Sequence, residues 1–124
     1  MSGVPKISEA EWEVMKVIWE KSPVTAQDVI GKLGDRMEWS PRTIKTLLGR
    51  LVKKGALKFE AQGKSYLYRP GVAMDKCVKV ESESFVDRVF GGAAAPMLVH
   101  FVKNAKLSPG DIRELRKILE EKKQ

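Results

Sequence analysis

The stretch Trp39-Ser-Pro-Arg-Thr-Ile-Lys-Thr-Leu-Leu-Gly-Arg-Leu-Val-Lys-Lys-Gly55 decides how the rest of the chain reads. Ser40 suits an N-cap, because its hydroxyl accepts a hydrogen bond from a free amide of the first helical turn. Pro41 then takes the first helical position, where a missing N–H costs nothing. Trp39 and Ile44 stand where a hydrophobic staple fixes the entry of the chain. Gly55 stands where the helix stops. Between them Ile44, Leu47, Leu48, Leu51 and Val52 recur at i, i+3, i+4, i+7 and i+8 and form one apolar stripe. The opposite side carries Arg42, Thr46, Gly49, Arg50 and Lys53, with Thr43 at its border. Such a front suits the major groove of DNA, where small residues admit close approach and hydroxyls and guanidinium groups reach base edges. The same pattern also serves an ordinary solvated amphipathic helix, and this stretch alone does not choose between the two.

The charge distribution favours the groove. The 124 residues carry 23 Lys and Arg against 16 Asp and Glu, a net charge of +7. Between Arg42 and Arg69 lie eight cations and the single anion Glu60, so this window holds +7 by itself. The fifteen cations and fifteen anions elsewhere cancel. A local basic patch on a neutral body is the footprint of a polyanion binder. The hydrophobic fraction of 43% is that of a globular chain of one domain, or of one small domain with an appendage. The single cysteine, Cys77, forms no internal disulfide, which fits a reducing compartment. The first residues lack the apolar core of a signal peptide. The run Gly91–Val102 is too short to span a bilayer. The expectation is a soluble cytoplasmic protein with no membrane partner.

Upstream, Ser8 and Glu11 form a capping box and Ile7 and Trp12 a staple, opening a first helix with Trp12, Met15, Val17, Ile18 and Trp19 on a broad apolar surface. Ser22-Pro23 ends it. Thr25 caps a second helix, about Ala26 to Leu33, with Asp28 as box partner and Val24/Val29 as staple. Gly34 to Glu38 then turns toward the basic helix. Downstream of Gly55 the period changes. Ala56 to Ala61 alternates, Gln62-Gly63-Lys64 turns, Ser65 to Arg69 returns, and Pro70 stops the strand. Helix, helix, basic helix and hairpin is the order of a winged helix-turn-helix, whose third helix enters the major groove while the hairpin lies on the backbone.

The predicted fold is therefore mainly α with a small antiparallel β wing: a winged helix-turn-helix DNA-binding domain over residues 1–71, then a helical dimerisation domain over 72–124. Arg42, Thr43, Thr46 and Arg50 are the candidate base readers. Ser40 and the helix N-terminus would hold a phosphate. Lys45, Lys53 and Lys64 would act mainly on phosphates, with Lys58 and Arg69 beside Lys64 on the wing.

The second part shows a long helix, about Met74 to Phe90, broken by Gly91-Gly92. A helix with Ala94, Met97, Leu98, Phe101, Val102 and Ala105 on one stripe follows. The last helix repeats the Ser-Pro opening at Ser108-Pro109, with Asp111 as box partner and a Leu107/Ile112 staple. Three helices of this length have too much surface to bury three apolar faces alone. Either they fold back on the first domain or they pair with a second copy. The homodimer is favoured, since helix-turn-helix proteins usually act as two-fold dimers on palindromic sites. Its candidate contacts are Phe85, Val89, Met97, Leu98, Phe101, Val102, Ile112, Leu115 and Leu119.

Catalysis is the rival class. Cys77 and His100 could serve as nucleophile and base, but Cys77 reads as lying on a helix flank, His100 lies off the apolar stripe, and nothing else assembles around them. The expectation is no enzyme, no cofactor and no metal site, which would need several ligands at short spacing.

Ser8-Glu-Ala-Glu-Trp-Glu-Val-Met-Lys-Val-Ile-Trp19, taken with Trp39 to Leu57, resembles the penicillinase-repressor family, BlaI/MecI. The resemblance continues through Tyr66-Leu-Tyr68, Leu98-Val-His-Phe101, Leu107-Ser108 and Asp111 to Leu119. It implies a homodimeric winged-helix transcriptional repressor on a palindromic double-stranded DNA operator, dimerised by its C-terminal helices. It also implies relief by a regulatory protease that cuts between an Asn and a Phe in that region. The matching bond here is His100–Phe101, with His in place of Asn. Copper-responsive relatives carry paired Cys-x-Cys motifs, which this chain lacks. A regulator of the same fold answering a metal or stress signal, or a non-specific basic DNA-binding protein, stand as alternatives.

Overall fold

In a computed structural model, which describes residues 3–124, the chain folds as α1 (Glu9–Glu20), α2 (Ala26–Met37), α3 (Pro41–Lys53), β1 (Leu57–Gln62), β2 (Ser65–Pro70), α4 (Met74–Phe90), α5 (Ala94–Asn104) and α6 (Pro109–Glu121). Two compact units divide between Ser82 and Glu83, inside α4. This is the mainly helical architecture with an antiparallel wing that the sequence predicts.

Helix starts follow the caps. Ser8 with Glu11, Thr25 with Asp28 and Ser108 with Asp111 each form both bonds of a capping box. The second helix runs a turn longer than the Gly34–Glu38 turn signal suggested. It ends at Met37, and Glu38 adopts a left-handed backbone, φ 55°. The Trp39 amide closes back onto the Gly34 carbonyl at 3.0 Å, a Schellman-type closure that needs a left-handed residue, and Glu38 takes the place glycine usually fills.

In the first unit the three helices bury their apolar faces against one another. Val14, Met15 and Ile18 of α1, Val29 and Leu33 of α2, and Ile44, Leu47, Leu48 and Leu51 of α3 are all buried, joined by Leu57 of β1. Burial of each such side chain is worth about 1.5–3 kcal/mol, so α3 is firmly seated. α4 contributes Cys77, its one buried residue among those described. This corrects the flank position expected for Cys77: the thiol packs into the core while Val78 stays exposed.

β1 and β2 pair antiparallel, with Phe59 opposite Tyr68 and Lys58 opposite Arg69. Val24, read in the sequence only as a staple, also exchanges both backbone bonds with Tyr68, at 3.0 and 2.7 Å, and so joins the wing through one isolated bridge to β2. Two glycines close the module. Gly55 sits at φ 83° after α3. A Cβ on Gly71 would stand 2.6 Å from the Gly55 carbonyl oxygen, a separation that excludes any side chain there without backbone movement. The indole of Trp19 donates to the Val72 carbonyl at 3.0 Å, pinning the exit of the wing to α1.

The second unit is built differently. Neither α5 nor α6 contains a buried residue. Its rings gather around Phe85, which lies 6.0 Å from Phe90 and 6.3 Å from Phe101. The remaining apolar stripe faces outward in the single chain.

Candidate nucleic-acid interface

α3 presents its polar front to solvent because its apolar back fills the core. Arg42, Thr43, Lys45, Thr46, Gly49, Arg50 and Lys53 are all exposed. Ser40 caps the helix by accepting from the Thr43 amide at 3.1 Å, and its hydroxyl lies 3.1 Å from that of Thr43. Here α3 departs from its neighbours. α1, α2 and α6 carry Glu11, Asp28 and Asp111 at the third position, whereas α3 has Thr43 there and no acid in its first turn. The positive end of the helix dipole is left without a carboxylate, which favours an external anion.

The cations of the basic window separate into two groups. Arg42, Lys45, Arg50, Lys53, Lys58 and Lys64 make no ion pair or side-chain hydrogen bond among the described residues. Arg69 pairs with Glu60 at 3.0 Å across the wing, with both side chains at least half exposed. Such a pair is worth little in water, so Arg69 is weakly held rather than removed from the surface. Lys54 is held firmly: it meets the Glu11 carboxylate at 2.6 Å and the Lys6 carbonyl at 2.8 Å. Sequence reasoning assigned Glu11 only to a capping box and gave Lys54 no role.

Lys45 and Lys64 come together although the wing separates them in sequence. They line one cleft with Ser65, Tyr66 and the first turn of α2, about 350 Å³ in volume. Two ammonium groups and the α2 N-terminus converge there, which concentrates positive potential between helix and wing. The outer wing is aromatic: Phe59 and Tyr66 are about half exposed and meet edge to face at 5.0 Å.

The other candidates fall in the second unit. Met97, Phe85 and Phe90 are partly covered, while Val89, Leu98, Phe101, Val102, Ile112, Leu115 and Leu119 are exposed. Phe101, expected to lie in a buried stripe, is 47% exposed, so one chain does not supply its cover. His100 and Phe101 sit within helical α5, and Asn104 donates to the His100 carbonyl at 2.8 Å. Burial pushes the Cys77 thiol up from its ordinary value, which disfavours the thiolate a nucleophile requires. Among the described residues no single helix is long and apolar enough to cross a membrane.

The model of the penicillinase repressor family matches residues 7–121. The chain is 43% identical to the penicillinase repressor of Bacillus licheniformis over 123 residues, 99% of this chain and 96% of that one. It is 37% identical to the methicillin resistance regulatory protein MecI of Staphylococcus aureus (strain N315) over 117 residues, 94% and 95% of the two chains. Among solved structures, the DNA-binding domain of the repressor BlaI superposes with a TM-score of 0.55 at 45% identity, over 59% of this chain and 89% of that one. The monomeric form of Bacillus licheniformis BlaI in complex with the blaP half-operator superposes at 0.53, with the same identity and coverage. The capped and stapled three-helix core, the wing and these likenesses agree: the chain belongs to the penicillinase repressor family.

Proposed function

We propose that this protein is a cytoplasmic, DNA-binding transcriptional repressor that acts as a homodimer on a palindromic operator. The carrying observation is the front of α3, exposed and cationic, with its arginines and lysines unpaired among the described residues and its first turn free of acid. In this reading Arg42, Thr43, Thr46 and Arg50 meet base edges, and Ser40 with the α3 N-terminus holds a phosphate. Lys45, Lys53 and Lys64 act on phosphates on either side of the cleft they share or flank. Residues 1–71 form the DNA-binding domain and 72–124 the dimerisation region.

The dimer is supported by the apolar surface that α5 and α6 leave in water, since a soluble chain rarely exposes so continuous a patch without a partner. Linking two half-site contacts makes the second intramolecular and raises avidity by about 10²–10⁴-fold. A regulatory protease that cuts within α5, at His100–Phe101, would remove that factor and leave α3 untouched. Cleavage there requires local opening of the helix. This is derepression of the kind used for β-lactam resistance.

The test is selection of bound duplexes from a random library with purified protein at stated salt. A palindrome with half-sites about one helical turn apart is the expected outcome. Salt-sensitive binding with no motif would sink the proposal. On the selected site, Thr46→Ala should relax base preference, while Lys64→Ala should weaken all duplexes alike and flatten the salt dependence.

A further inference from the structure

Lys54 belongs to the basic window by sequence, yet its exposed side chain reaches back to a buried carboxylate. It is the C-cap of α3. Its ammonium donates to Oε1 of Glu11 at 2.6 Å and to the Lys6 carbonyl at 2.8 Å, occupying two of its three donors. Glu11 is 3% exposed, and the same oxygen accepts from the Ser8 amide at 2.9 Å. One carboxylate therefore closes the first turn of α1 and holds the far end of α3. A carboxylate so buried cannot lose its cation without being left uncompensated, so the link persists where a surface pair would come and go.

α3 is already fixed at its start by the Ser40 cap, with Trp39 packed against the core. A helix lying on an apolar bed can still tilt or roll about that point, because Ile44, Leu47, Leu48 and Leu51 provide cover without direction. A second, directional anchor at the opposite end removes this freedom. Arg50 and Lys53 leave the same last turn exposed and unpaired among the described residues, so the orientation that Lys54 fixes is theirs.

We infer that Lys54 is a positioning residue for DNA recognition: through Glu11 and the Lys6 carbonyl it sets the angle at which α3 meets the base edges, and it does not itself hold a phosphate. The inference rests on α3 being the reading helix, and Thr46→Ala in the same experiment tests that reading separately.

The experiment is a set of fluorescence anisotropy titrations of the full chain, on the selected operator and on a scrambled duplex, across a salt series. The variants are Lys54→Met, Lys54→Arg, Glu11→Gln and Thr46→Ala, with folding monitored by circular dichroism. Lys54→Met should weaken operator binding about tenfold, the worth of roughly one base contact. It should leave scrambled-duplex binding and the salt slope unchanged, because no counterion release is lost. Glu11→Gln, which alters no DNA-facing cation, should weaken the operator alone in the same direction. Lys54→Arg, which keeps the pair, should recover most of the loss. A salt slope smaller by about 0.9 in Lys54→Met, the signature of one lost phosphate contact, would overturn the inference, as would unchanged operator affinity. Should Lys54→Met unfold, the other two variants decide: operator affinity unchanged in Glu11→Gln, or unrecovered in a folded Lys54→Arg, overturns it. Failure of Thr46→Ala to change base preference would count against the reading of α3 and not against the tether.

Discussion

Two stripes of the same spacing meet opposite fates in this chain. Ile44, Leu47, Leu48 and Leu51 on α3 are at most 5% exposed, while Leu98, Phe101 and Val102 on α5 are about half exposed. Periodicity identifies the apolar side of a helix but not what covers it. α3 lies between α1, α2 and the first strand, within the same chain. α5 finds a few rings around Phe85 and then water. The first stripe is therefore a matter of folding, and the second, in the proposed dimer, a matter of association.

The comparison breaks most sharply at Phe101. Phe101→Asp should give a monomer by sedimentation, with palindrome affinity reduced by about 10²–10⁴-fold and an unchanged far-ultraviolet spectrum. A variant that stays dimeric would place the interface elsewhere. Leu48→Ala, in the covered stripe, should lower unfolding stability by about 2–5 kcal/mol in denaturant titration. Leu98→Ala in a chain kept monomeric should change it by less than about 0.5 kcal/mol, as an exposed position does. A smaller effect is expected at Glu38. Glu38→Gly relieves its left-handed backbone and should stabilise the first unit by about 0.5–1 kcal/mol, seen as a raised melting temperature.

The smallest effect is that of acid on Glu11. Burial pushes its carboxyl up, but the hydrogen bond and charge of Lys54 together with the Ser8 amide and hydroxyl outweigh this, so its pKa lies below the ordinary carboxylate value. A depressed folded-state value contributes stability above the unfolded carboxylate range, and that contribution is lost as pH falls through the folded value. Thermal unfolding from pH 7 down to pH 3 should show this loss in the natural chain and a reduced one in Glu11→Gln. An identical pH profile in the two would show that the pair does not couple to folding.

Local grammar made much of this legible in advance. Ser8, Thr25, Ser40 and Ser108 start their helices where residue chemistry says they should, and the alternation around Gly63 yields the wing. Three features were not legible. The extra turn of α2 is stabilised by the Trp39 amide closing on Gly34, which outweighs the local turn signal. Cys77 is buried because α4 crosses the core edge, a placement that no local pattern encodes. The Glu11–Lys54 link joins residues whose local roles, capping box and basic run, explained each without the other. The front of α3 was readable because its apolar complement had to face inward. The roles of Arg42, Thr43, Thr46 and Arg50 depend on a ligand and rest on their exposure and chemistry.

The hydroxyl of Thr43 has a consequence for how this protein responds to selection. Exchange of Thr43 for Glu would complete the reciprocal cap that α1, α2 and α6 already possess, and would satisfy the charge preference of the helix start. The chain would become more heat-resistant by that one step, while a fixed carboxylate would occupy the place where the proposed reading seats a phosphate. Thermostability and operator affinity thus pull against each other at a single position. A library of variants screened for melting temperature alone would accumulate robust proteins that no longer repress.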